Sequence, residues 1–103
     1  MTVSYVLQAG AVEDLRSVIR YTRETWGAVQ ARAYANKLHN GLQRLSQGQG
    51  TYKILVEVHP ALRVTRCQHH YIFCLMLENA QALVIAILHE KMDLIAKITD
   101  RLS

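Results

Sequence analysis

At 103 residues the chain has the length of one domain, and its 50% apolar composition supplies a real though small core. The 12 Lys and Arg against 8 Asp and Glu leave a net charge of +4 and a pI near 9.3, which favours an acidic partner but falls short of the dense cation clusters of a dedicated nucleic-acid binder. The N-terminus MTVSYVLQAG has neither a basic leader nor a long apolar run, and no apolar stretch approaches the ~20 residues of a membrane helix, so a soluble cytoplasmic protein is expected.

Val3 to Gln8 alternates Val3, Tyr5 and Leu7 with more polar neighbours and predicts a short strand that joins a sheet edge. Ala9-Gly10 is read as a break, after which the period becomes helical: Val12, Leu15, Val18, Ile19, Thr22 and Trp26 share one stripe, with Glu13 and Asp14 in the first turn where the helix dipole favours acids. The opposite face carries Arg16, Arg20 and Arg23, a line of cations suited to solvent or to an acidic partner. Gly27 interrupts, and a second helix is predicted from about Ala28 to Ser46 with Ala31, Tyr34, Leu38, Leu42 and Leu45 on one side. Two amphipathic helices joined at a glycine make a hairpin whose apolar side covers one face of a sheet.

Gln47 to Gly50 is a loop, and Thr51 to His59 stands between strand and irregular structure because its alternation of Tyr52, Ile54, Val56 and Val58 ends at Pro60. Leu62 to Glu90 then holds three β-rich runs separated by Gln68-His69 and by Glu78 to Gln81, the pattern of an antiparallel meander. The second and third runs are apolar on both faces, so both faces must be covered. A turn centred on Gln68-His69 sets Cys67 opposite His70 and Arg63 opposite Cys74, and a four-residue loop sets Leu77 opposite Ala82 and His70 opposite His89. One face then carries the row Cys67, His70, His89 and the other the row Arg66, Tyr71, Leu88. In this register Cys74 lies about 13 Å beyond the partner position of Cys67, which predicts free thiols. Asp93 is a good N-cap for a last helix bearing Leu94, Ile95, Ile98 and Leu102. The expected architecture is α+β in the order β-α-α-β-β-β-α: one domain over 1–103, with an N-terminal helix hairpin on a small antiparallel sheet and a short C-terminal helix.

The ordered set Asp14-Leu15, Ile19, Tyr21, Trp26-Gly27, Gln30-Ala31, Tyr34, Leu38, Leu45, Leu62-Arg63, His70 to Phe73 and Ile87 to Asp93 resembles the ParE branch of the RelE/ParE toxin superfamily over nearly the whole chain. The resemblance implies the toxin of a type II toxin–antitoxin module, often plasmid-borne, which binds DNA gyrase, stalls replication and has no catalytic residues or cofactor of its own. It implies a ParD-like antitoxin that wraps around the toxin. Antitoxin contacts are then expected at Arg16, Arg20, Arg23 and Arg63, and target contacts at Arg63, Lys91, Lys97 and Arg101, without membrane association or direct sequence-specific nucleic-acid binding. The RelE branch shares the fold and cleaves messenger RNA on the ribosome, chemistry that needs groups to move protons and cations to stabilise a phosphorane. RelE-like chains usually place a Tyr or His near the C-terminus, and Leu94 to Ser103 has neither, which argues for the ParE branch. The nuclease alternative would rest on Arg63, His70, His89 and Lys91.

The row Cys67, His70, His89 contains metal-binding residue types, but zinc would want a fourth ligand or water, and His69 alternates to the other face, so no metal is expected. His70 and His89 are instead read as partly buried histidines, each with one tautomer fixed by a backbone carbonyl. Arg63 is read either as a structural pair for a carbonyl or carboxylate at the sheet edge or as a contact to a partner. Trp26, Tyr21 and Tyr34 are read as hairpin core.

Overall fold

The computed structural model describes residues 5–79 and 81–103. Its elements run β1 (Tyr5–Leu7), α1 (Ala9–Trp26), α2 (Ala28–Ser46), β2 (Lys53–Ile54), β3 (Leu62–Cys67), β4 (His70–Met76), β5 (Ala82–His89) and α3 (Leu94–Leu102). The five strands form one sheet in the order β1-β5-β4-β3-β2. The hairpin α1–α2 packs on one face around Leu38, Leu42, Leu45, Ile72 and Val84, and α3 packs on the other around Phe73, Leu62, Ile85, Leu88 and Ile98. Two separate cores on one sheet are what β4 and β5, apolar on both faces, require. Among the described residues no helix is long and apolar enough to cross a membrane.

The expected α+β architecture is therefore present, with refinements at the sheet edges. β1 runs parallel to β5, pairing Tyr5 with Ala82 and Leu7 with Val84, so the sheet is mixed rather than wholly antiparallel; Val3 and Ser4 of the expected strand lie outside the described residues. β2 pairs antiparallel with β3 through Lys53–Val64 and Ile54–Arg63, adding a strand to the expected count. Its alternating pattern does not continue, because Val58 and His59 donate back to the Leu55 carbonyl and His59 Nδ1 accepts the Ala61 N–H, folding the run into turns before Pro60 ends it.

The α1 helix starts two residues earlier than the sequence suggests. The Gln8 N–H closes β1 on the Val84 carbonyl at 2.9 Å while the Gln8 carbonyl already accepts Val12 N–H at 3.0 Å, so Ala9-Gly10 is the first turn and not a break. Glu13 and Asp14 consequently sit past that turn, and the first turn holds no acid. At the far end Gly27 has φ 95° and ψ 170°, a conformation open to glycine and strained for any side chain. Its N–H donates to the Arg23 carbonyl at the end of α1, and its own carbonyl accepts the Ala31 N–H to begin α2. The tip this glycine forms overhangs the sheet: every residue from Arg23 to Gln30 is exposed, and Trp26, expected in the core stripe, is 69% exposed.

The β3–β4 register is the expected one, with Cys67 opposite His70 and Arg63 opposite Cys74. The turn between them places Gln68 at φ 58°, a left-handed position where glycine is the usual occupant. On the β4–β5 side His70 faces His89 as expected, but Phe73 pairs with Ala86 and Cys74 with Val84, which leaves Ile85 as a bulge. Met76 rather than Leu77 therefore faces Ala82, and the connection widens to Leu77–Gln81, closed by Leu77 N–H on the Gln81 carbonyl; Ala80 lies outside the described residues. The bulge sends Ile85 and Ala86 to the same face, toward α3, while Val84 and Ile87 face the hairpin.

Beyond Leu7 the edge of β5 is no longer paired with β1, and two side chains take the place of a strand. Asp14 Oδ2 accepts the Ile87 N–H at 3.0 Å, and Arg101 Nη1 donates to the Ile85 carbonyl at 3.0 Å. Arg101 also holds Asp14 itself, at 3.0 and 3.3 Å. One partly buried ion pair thus seals the bulge and ties α1, β5 and α3 together. Gly10 makes room for it, since a Cβ there would lie 2.7 Å from Arg101 Nη1. The last helix is capped as expected, with Asp93 Oδ1 accepting Ala96 N–H, and is anchored by the fully buried Ile98.

Candidate functional site

The overhanging hairpin tip roofs a groove of about 760 Å³ whose floor is the end of the sheet at the β3–β4 turn and the last residues of β5. Tyr21 and Trp26 of α1 and Tyr34 and Lys37 of α2 line one side, and Gln68, His69, His70, His89, Glu90 and Lys91 line the other. Strand alternation puts His70 and His89 on this face together, their rings edge-on with centroids 5.1 Å apart.

Hydrogen bonding fixes what these histidines can do. Tyr34 Oη accepts the His69 N–H at 3.3 Å and shares a hydrogen bond of 2.7 Å with His70 Nδ1. Burial raises the Tyr34 pKa, keeping its hydroxyl protonated. His89 Nδ1 accepts the Lys91 N–H at 3.1 Å. His89 is thus an acceptor at Nδ1 and carries its proton on Nε2, and in both rings the Nδ1 partner is a hydroxyl or an N–H rather than the backbone carbonyl expected. Burial, with His89 and His69 nearby, pulls the His70 pKa down to about 4, so it is neutral at physiological pH. The third member of the row, Cys67, turns its Sγ to the Lys37 carbonyl at 3.4 Å, and burial pushes its thiol pKa up. Both cysteines are free, and burial raises Cys74 to about 11. Among the described residues no three His, Cys, Asp or Glu side chains are grouped to hold a metal ion.

Glu90 is the acid of the groove, and it is already engaged. Its two oxygens meet His69 Nδ1 at 2.9 Å and Arg66 Nη2 at 2.6 Å, and these partners hold its pKa below the usual carboxylate range. Arg66 also donates to the Gln68 carbonyl, so it braces the turn from the opposite face. Lys37 and Lys91 make no ion pair among the described residues.

The remaining singled-out residues are dispersed. Arg63 lies half-buried, donating to the Leu45 carbonyl near the end of α2 at 3.0 Å and stacking 4.9 Å from the Tyr52 ring. This is the structural carbonyl pairing, and it keeps Arg63 out of the groove. The proposed nuclease quartet therefore does not converge: His70, His89 and Lys91 meet, and Arg63 does not join them. Arg101 is taken up by Asp14 and Ile85. Lys97 stands exposed on α3. Arg16 pairs with Glu13 at 3.2 Å on the surface, while Arg20 and Arg23 stand in solvent; none of the three lines the groove.

Sequence reading missed Tyr21 and Trp26, 67% and 69% exposed, by assigning them to the core, and passed over Glu90 and Lys37. A signal existed for the aromatics. Arg23 to Gln30 reads RETWGAVQ, too polar to cover a sheet, so any aromatic there must overhang it.

Residues 5–94 match the model of the ParE toxin of the type II toxin–antitoxin system parDE. The chain is also 54% identical over 99 residues to the Escherichia coli Toxin ParE, an alignment that covers 96% of each protein. With the fold, the match over most of its length and this relative in agreement, the chain belongs to the ParE toxin family of type II toxin–antitoxin systems.

Proposed function

We propose that this toxin acts in the cytoplasm by binding DNA gyrase and stalling replication, without catalysis of its own, until a ParD-like antitoxin neutralises it. The observation that carries the reading is membership of the ParE family at 54% identity to a curated ParE toxin. The groove supports the non-catalytic part: His70 and His89 have their Nδ1 atoms occupied, His70 is neutral, and Arg63 serves the α2 carbonyl. An acid–base pair poised near neutral pH would need a free acceptor nitrogen and a pKa near the working pH.

In this reading the antitoxin docks on the outer face of α1, where Arg20 and Arg23 beside Arg16 offer cations to an acidic segment, and on a sheet edge, where the short outer strands β1 and β2 leave backbone groups for an added strand. Lys91 and Lys97, with Arg63 and Arg101 largely committed within the fold, are the target contacts of this reading. The test is a supercoiling assay with purified gyrase. Lost supercoiling and accumulated cleaved DNA are expected; normal supercoiling together with codon-level cleavage of ribosome-bound messenger would overturn the reading. Changing Arg16, Arg20 and Arg23 together to Glu should weaken the complex with the antitoxin encoded by the neighbouring gene and flatten its salt dependence.

A further inference from the structure

We propose that the groove beneath the hairpin tip binds a short single-stranded nucleic-acid segment, stacking unpaired bases on Tyr21 and Trp26 while Lys37 and Lys91 hold its phosphates. The inference stands apart from the antitoxin surface, because the arginine line of α1 does not line this groove, and it does not depend on the identity of the toxin's target.

Four features of the groove point to a flat, acceptor-rich, anionic ligand. Two large aromatic side chains of α1 lie open to it, at 67% and 69% exposure, although the same helix buries Ala11 and Val18. Exposed ring faces are what bases stack on, regardless of sequence. Its two lysines come from opposite walls, α2 and the segment after β5, and neither has an acidic partner among the described residues. Glu90 is screened by Arg66 and His69, so the local charge is positive. His89, with Nδ1 already accepting the Lys91 N–H, leaves an Nε2–H donor, which suits phosphate and base carbonyl oxygens.

A volume of about 760 Å³ takes a few nucleotides of one strand and not a duplex, whose bases are in any case stacked on each other. A purely acidic peptide such as oligoglutamate would satisfy the lysines and leave the aromatic faces unused. The geometry therefore favours the single strand.

Trp26 is the chain's single tryptophan, so its emission reports directly on the site. The full chain would be titrated with a thymidine 12-mer, its duplex counterpart and an oligoglutamate peptide. Saturable quenching by the single strand is expected, with the duplex and the peptide at least tenfold weaker. Neutralising two phosphates on a single strand gives a log–log salt slope of about −1.4, so binding should weaken roughly sevenfold between 50 and 200 mM salt. With a fluorescent oligonucleotide as probe, the Tyr21→Ala/Trp26→Ala variant should lose at least tenfold in affinity, Tyr21→Phe/Trp26→Phe should recover most of it, and Lys37→Glu/Lys91→Glu should abolish binding, each variant checked for folding by circular dichroism. Absent quenching, equal affinity for duplex or for oligoglutamate, or unchanged binding after removal of both aromatic rings would overturn the proposal.

Discussion

The two ends of α1 meet opposite demands. Its first half lies over β5, where Ala11 is buried and Asp14 closes the sheet edge with Arg101. Its last turns project past the sheet, where Trp26 and Tyr21 are exposed over a groove. At the closed end Asp14, Arg101 and the β5 backbone are partnered with one another. At the open end Lys37 and Lys91, without an ion pair among the described residues, stand beside exposed rings. The difference teaches that in this small fold a partly buried ion pair can belong to the scaffold while the candidate binding chemistry sits where packing stops.

The comparison breaks first at Asp14. Asp14→Ala would leave the Arg101 guanidinium and the Ile87 N–H without their partner, and because both side chains keep some solvent contact the expected loss is about 2–3 kcal/mol, less than for a fully buried pair. Denaturant unfolding measures it, and a loss below about 0.5 kcal/mol would show that the bulge edge is satisfied by water.

Gly10 gives a smaller and sharper result. Alanine in a helix is usually worth about 1 kcal/mol over glycine. Here the added Cβ would press on Arg101, so Gly10→Ala should destabilise by about 1 kcal/mol in the native background and stabilise in an Arg101→Ala background. A double-mutant cycle with no coupling would separate the two residues.

At the open end, His70 is the group with a pH signature. Its folded pKa of about 4 lies below its ordinary value of 6.5, so the folded chain resists its protonation. The associated stability is present above pH 6.5 and is lost as pH falls toward 4. His70→Asn retains an acceptor for Tyr34 and cannot be protonated in this range. Thermal melts between pH 7 and 4 should therefore fall less steeply for the variant; parallel curves would contradict the assignment.

How much of this was legible follows from which interactions leave a trace in the pattern of residues. The hairpin, the meander and the β3–β4 register follow from periodicity and from turn residues at fixed offsets, whereas His70 meets His89 because the longer β4–β5 connection and the bulge at Ile85 offset each other. The bulge at Ile85 does not, because Ile85 and Ala86 are both apolar and each fits either core without a change in pattern. The parallel pairing of β1 and the Asp14–Arg101 pair join residues far apart in the chain, and a single sequence carries no signal for them. Trp26 was misplaced because the helical stripe continues past the end of the sheet it was assumed to cover.

The smallest expected effect on stability is also the most direct test of the division between the two ends. Tyr21→Ala/Trp26→Ala removes two exposed rings and should change unfolding free energy by no more than about 1 kcal/mol in total, as surface substitutions do. Binding of a fluorescent thymidine 12-mer would be measured beside the melting temperature of the purified variant. The account predicts a protein that melts like the native chain and no longer holds the oligonucleotide; a variant that melts normally and binds it as tightly as the native chain would contradict it.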